Sequence, residues 1–271
     1  MLKDMTLGQY YQTDSILHRL DPRVKLAGTM AFLLSLFLVD HVPGYLLAAL
    51  FLVTAIRLSC VPVRFMLRGM KSIVFLMLIA AAFNLFLTPG EEVFHLWKLS
   101  VTKEGIRMAV MMTVRLIFLI TGSSIMTLTT TPNHLTDGME SLLSPLKRIR
   151  VPVHEISMMM SIALRFIPIL LEETDKIMKA QLARGADFES GNLVKRSKAM
   201  IPLLIPLFVS AFRRANELAM AMEARCYRGG EYRTRMKPLK YEKKDAAAYA
   251  IVILYLLLCL GSGWVADYFW G

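Results

Sequence analysis

The sequence predicts an all-α, polytopic membrane protein of about five membrane-spanning helices, with a large basic segment of long helices before the last span. Three observations predict it. Of 271 residues, 55% are hydrophobic and only 20% charged, against roughly 25% charged in soluble domains, and mean hydropathy is +0.49. A soluble core of this length cannot bury so much apolar surface, so a bilayer must take up part of it. Long uncharged runs recur along the chain. The 32 Lys and Arg residues outnumber the 21 Asp and Glu by 11, and they cluster between particular runs.

In chain order, residues 1–25 form an N-terminal arm. It carries Asp4, Asp14 and Asp21 and has no apolar h-region, so no signal peptide is predicted. Residues 26–130 are expected to hold four spans. Runs 26–39 and 42–56 are short for spanning, but Lys25 and Arg57 can snorkel to the headgroups, giving a hairpin turned by DHVPG. Residues 72–90 contain no charge, and 105–130 is interrupted by Arg107 and Arg115. The fifth span, 246–266, lies within 245–271 between Asp245 and Asp267.

Lys and Arg set the orientation. Lys3, Arg19, Arg23 and Lys25 precede the first span, and Arg57, Arg64, Arg68 and Lys71 follow the second. Residues 131–244 hold 20 basic and 12 acidic residues, whereas DHVPG has no Lys or Arg. The alternation predicts a multi-pass cell-membrane protein with its N-terminus and the 131–244 segment cytoplasmic and its C-terminus outside. The basic residues follow this inside rule, so nucleic-acid binding is a poor explanation of the net charge.

Within 131–244, two stretches share one plan. Residues 156–171 are apolar but for Arg165, and EETDKIMKAQLARG follows; residues 199–212 are apolar, and RRANELAMAMEARCYRGG follows. At an offset of 41, Ala183-Arg184 falls on Ala224-Arg225. Glycines close each tail, as expected past a helix end, and Asn192 suits an N-cap. Two long amphipathic helices are therefore expected over about 153–185 and 192–228, up to about 50 Å each at 1.5 Å per residue. Their apolar halves are too short and proline-bearing to span alone, so both should start against the membrane and end beyond it in the cytoplasm. Pro168, Pro202 and Pro206 read as kinks, and Met158, Met159, Met160, Met220 and Met222 as adaptable packing surface.

Catalytic motifs are mostly missing. There is no P-loop, HEISM lacks the second histidine of a zincin, and the five histidines have no His or Cys at i+3 or i+4. No cofactor or metal is expected. Cys60, Cys226 and Cys259 match no metal or redox spacing and read as free thiols. Gly261-Ser262-Gly263 reads as a packing notch. Arg115 has two readings: a functional intramembrane ion, or a side chain turned toward neighbouring helices.

The residues singled out for function are Ala183, Arg184, Gly185, Ala224, Arg225 and Cys226. One Arg in a last helical turn is expected from the macrodipole. Two, each between Ala and a small residue at a helix tip, are a pattern: the slim backbone leaves a five-donor head free for bidentate contact with a carboxylate. The reading requires exposed tips, close together, on one side of the bilayer.

These triplets, with Tyr227-Arg228-Gly229-Gly230 and the N-terminal run from Ser15 through His18, Asp21, Pro22, Arg23 and Lys25, resemble the transmembrane (T) component of energy-coupling factor transporters. The resemblance covers nearly the whole chain. Cys226 departs from the family's Gly or Ser but remains small. The resemblance implies a non-catalytic subunit: two ABC ATPase subunits each receive one arginine-tipped helix, and a substrate-binding membrane protein, the S component, packs on the T component for vitamin or metal-ion uptake. Asp21-Pro22-Arg23 reads as a helix start with Pro at N1. The alternatives are a membrane enzyme acting on lipid headgroups, which would need clustered carboxylates or histidines at one depth, and a self-sufficient transporter, which would need broken helices in corresponding halves.

Overall fold

The computed structural model describes residues 10–71, 73–96, 99–188, 192–230 and 238–270. Nine α-helices are assigned among them: α1 (Pro22–Leu38), α2 (Val42–Ser59), α3 (Val63–Lys71), α4 (Val74–Leu87), α5 (Lys103–Thr129), α6 (Pro132–Leu142), α7 (Val153–Ala183), α8 (Leu193–Ala224) and α9 (Lys243–Trp270). One exception to the all-α expectation is a pair of short antiparallel strands, β1 (Glu92–Leu96) and β2 (Leu99–Thr102), in what reads from sequence as a loop. The helices fall into two compact units. One contains residues 140–238, and the other residues 8–139 with 239–271.

In the second unit, α1, α2, α5 and α9 pack together, with α3 and α4 against α5. Asp21 starts α1 by accepting the Arg23 N–H at 2.8 Å, with Pro22 at N1, as the sequence predicts. Phe32, Leu36, Ala48, Leu52, Ile125 and Leu128 form the core. Phe51 stacks on Tyr255 at 4.4 Å. The buried Ser35 hydroxyl donates to the Phe32 carbonyl and so accepts from the Tyr255 hydroxyl at 2.8 Å. Gly105 lets α5 approach α4 closely, since a Cβ there would lie 2.9 Å from the Leu85 carbonyl oxygen. Gly44 similarly admits Ser262. Gly261 and Gly263 face open space instead, so the expected notch lies at Gly44 rather than in the Gly-Ser-Gly run.

The N-terminal arm is tied to the end of α5. The Tyr11 N–H donates to the Leu128 carbonyl at 2.9 Å, and Lys25 Nζ to that of Thr129 at 2.9 Å. Both carbonyls lie in the last turn, where a helix has no partner of its own to offer. Buried Asp245, in the first turn of α9, accepts the N–H groups of Asp21 and Glu242 at 2.9 and 2.8 Å. It thereby joins the start of α1 to the start of α9.

The outside of this unit is apolar. Leu46 and Leu50 on α2, Phe75 and Leu87 on α4, and Leu257 on α9 are all exposed, far more apolar surface than a soluble monomer leaves uncovered. Helices occur at all five expected spans. By length and apolar character, however, the helices able to cross a bilayer among the described residues are Val42–Ser59, Lys103–Thr129, Val153–Ala183 and Lys243–Gly263. α1 and α4, with 17 and 14 residues, reach only about 26 and 21 Å, against roughly 30 Å of hydrocarbon. α7 qualifies through the apolar stretch in its first half, which the sequence reading took as too short to span alone.

Candidate functional site: two arginine-tipped helices

In the first unit, α7 and α8 pack against each other, and both continue through their internal prolines. Their pairing is antiparallel. Near the middle, Glu173 on α7 accepts from the Ser210 hydroxyl at 2.6 Å and from Arg214 Nη2 at 3.1 Å, both on α8. Toward one end, Met158 and Ile162 at the start of α7 share a cavity of about 450 Å³ with Leu218, Met222 and Tyr227 at the end of α8. Nearby, a Cβ on Gly230 would strike the His154 ring, and His154 Nδ1 lies 3.0 Å from Glu140 Oε1.

The two helix ends are built alike. At the end of α7, the Ala186 N–H donates to the Gln181 carbonyl and the Gly185 N–H to that of Leu182, both at 3.0 Å. At the end of α8, the Tyr227 N–H donates to Met222 at 3.0 Å and the Cys226 N–H to Glu223 at 2.8 Å. These are the same two bonds 41 residues apart, the Schellman pattern that closes a helix through a left-handed residue. Arg184 and Arg225 fall at the cap itself, one residue past the last helical turn. Both are exposed, as are Ala183, Gly185, Ala224 and Cys226.

One expectation is corrected. The tips do not lie close together pointing the same way: antiparallel packing sends Arg184 and Arg225 to opposite ends of the pair. With Glu173 opposite Ser210 and Arg214, the separation along the helices is roughly 40 Å at 1.5 Å per residue. Few residues separate Ala183 from Leu193 in the sequence, and α8 returns along α7. Sequence periodicity records the faces of a helix but not the direction of its neighbour.

The other predicted residues fall as follows. α8 begins at Leu193, directly after Asn192. Met158 and Met222 line the cavity beside Arg225, while Met159, Met160 and Met220 are exposed. All three cysteines are free. Arg115 is turned toward neighbouring helices. Its Nη2 donates to the Val39 carbonyl at 3.1 Å and to Asp40 Oδ1 at 2.8 Å, and its Nε donates to the Tyr45 hydroxyl at 3.0 Å. It thus fastens α5 to the turn between α1 and α2. The Glu173–Ser210–Arg214 bridge was not legible in the sequence; the signal was a Glu and an Arg at corresponding positions, 41 apart, in the two aligned tails.

Apolar helices long enough to span a bilayer, together with a pair of long helices bearing matching arginine caps, define a polytopic membrane protein. Residues 13–237 match the family described as CbiQ, cobalt transport protein. The chain is 51% identical over 261 residues to the energy-coupling factor transporter transmembrane protein EcfT of Thermosediminibacter oceani, covering 96% of this chain and 97% of that protein. It is 52% identical over 256 residues to the protein of the same name from Ruminiclostridium cellulolyticum (94% and 96%), and 46% identical over 260 residues to that of Bacillus subtilis (95% and 98%). The chain belongs to the CbiQ family of membrane transport proteins, and the resemblance to the T component is borne out.

Proposed function

We propose that this chain is the non-catalytic coupling subunit of an energy-coupling factor importer. Residues 131–244 act as its cytoplasmic coupling domain, and Arg184 and Arg225 are its contacts with two ABC ATPase subunits. The carrying observation is the repeated cap, which holds two exposed guanidinium groups in one local geometry at opposite ends of a helix pair. The closeness of the tips that the sequence reading required is given up: a separation of roughly 40 Å at 1.5 Å per residue fits one docking point on each of two ATPase subunits. Each planar head can take a carboxylate in a bidentate grip, which resists rotation as well as separation. Glu173, Ser210 and Arg214 lock α7 to α8, so a displacement at one tip is carried to the other helix rather than absorbed at their contact. An S component binding the vitamin or metal ion would lie against the apolar helix surfaces, and nucleotide hydrolysis would belong to the ATPases. The N-terminus lies in the cytoplasm and the C-terminus outside, as the distribution of Lys and Arg favours.

The test is Arg184→Ala with Arg225→Ala, expressed with the partner subunits. The double variant should insert in the membrane normally but lose ATPase co-purification and substrate uptake, while each single variant retains part of both. Normal uptake with normal ATPase recovery from the double variant would remove the basis of the proposal.

A further inference from the structure

The unit containing α1, α2, α5 and α9 holds a cavity of about 380 Å³ that coupling does not use. Its size falls within the range of small-molecule pockets. Phe32, Phe51, Ile125 and Val252 stand among its wall residues, and Gly28 and Gly122 keep the α1 and α5 sides low. From Lys25 to Phe32 along α1 it runs about 10 Å at 1.5 Å per residue. Ile16, Leu58 and Ile251, which also border it, are exposed, so it opens on the apolar outer surface.

Two cations stand on one end of this apolar wall, Lys25 and Lys244. Lys25 Nζ donates to the carbonyls of His18 and Thr129 at 3.1 and 2.9 Å, leaving one of its three N–H groups for a ligand. Lys244 is exposed, and its ion pair with Glu242 is a loose 3.8 Å contact between exposed side chains, which contributes little. Asp21 and Asp245 stand near Lys25 and offset its charge, so Lys25 contributes a donor and Lys244 the unbalanced cation at the mouth. The mouth therefore favours an anion, and the wall favours hydrocarbon.

We propose that this cavity binds one anionic phospholipid from the surrounding leaflet. One acyl chain lies along α1 toward Phe32 and Phe51, and the phosphate sits at Lys244 with the remaining N–H of Lys25. The charge at the mouth selects a lipid over a neutral apolar molecule, and the opening between Leu58 and Ile251 gives the chain a lateral way in from the bilayer. The two lysines lie at the end of the bundle that the sequence assigns to the cytoplasmic leaflet, where anionic lipids attract basic groups. The inference is independent of the coupling arginines.

The test is native mass spectrometry of the full chain in detergent with equal amounts of phosphatidylglycerol and phosphatidylcholine bearing the same acyl chains. One phosphatidylglycerol should be retained in preference, by about fivefold, the effect of one lysine at an anionic surface. Lys244→Glu should abolish the preference without removing the lipid, and Ala248→Leu, which fills the wall, should lower retention of both lipids. Equal retention of the two lipids by the wild type, an unchanged preference in Lys244→Glu, or unchanged retention in Ala248→Leu overturns the proposal. A phosphatidylglycerol with a photoactivatable group in mid-chain supplies a readout that needs no variant. It should label peptides containing Phe51 or Ile125, and label confined to the outer face of α4 overturns the site.

Discussion

Cys226 occupies at the end of α8 the same left-handed cap position that Gly185 occupies at the end of α7. Their φ angles are +56° and +85°, and the flanking hydrogen bonds correspond pair by pair. Glycine adopts this backbone freely, whereas a residue with a Cβ crowds its own carbonyl there, at a cost of about 1–2 kcal/mol. The sequence offset of 41 is thus a repeat of three-dimensional design, but the second copy holds its arginine on a strained residue.

Cys226→Gly should therefore stabilise the α8 cap by about 1 kcal/mol, and Gly185→Ala should weaken the α7 cap by a similar amount. No atom lies within 4 Å of a Cβ built at Gly185, so that cost is one of backbone alone. Hydrogen exchange of the amides at Ala186 and Tyr227 reads each cap separately. Equal exchange in wild type and both variants would show that the left-handed geometry carries no strain.

Arg115 should matter through the bundle rather than through its ion pair. Asp40 is 76% exposed, so Asp40→Asn should cost no more than about 1 kcal/mol, as exposed pairs do. Arg115→Ala deprives the Val39 carbonyl and the Tyr45 hydroxyl of a charged donor as well, and should cost about 2–3 kcal/mol. Thermal unfolding in detergent distinguishes the two, and equal losses would contradict this division of roles.

Glu173 on α7 is bonded to Ser210 and Arg214 on α8, and Ser210 is buried. Glu173→Ala leaves that hydroxyl and Arg214 unpaired, at a cost of about 1–3 kcal/mol, whereas Glu173→Gln keeps an acceptor and should cost less. Limited proteolysis within α7 and α8 should accelerate in the order wild type, Gln, Ala. The same rate in all three would dismiss the bridge as a stabilising element.

The N-terminal arm should loosen in acid. His18 Nε2 lies 3.0 Å from the Tyr11 carbonyl, which can only accept, so Nε2 carries the proton and Nδ1 accepts from the Ser15 hydroxyl at 2.7 Å. Burial holds this imidazole below its ordinary value of 6.5, outweighing the carbonyl that favours the charged ring. Below about pH 6.5 the unfolded arm binds a proton that the folded arm resists. Stability is therefore fully present above that pH and falls as the solution is acidified. Exchange protection at Tyr11 followed from pH 8 to pH 5 should decline, and His18→Gln should flatten the decline; an unchanged profile in the variant would assign it to another group.

By itself the sequence determined the class of this protein and the ends of its long helices. An apolar excess in 271 residues forces a bilayer on the chain, and Ala-Arg followed by glycine or another small residue marks a helix terminus, because both are local consequences of composition and backbone sterics. The Asp21-Pro22 start was legible for the same reason. Only the tertiary structure decided that α7 and α8 run antiparallel and separate Arg184 from Arg225, that Arg115 holds the α1–α2 turn, and that Cys226 is left-handed. Each depends on which segment returns beside which, a choice made by packing among residues far apart in the chain, and no periodicity within one helix encodes it.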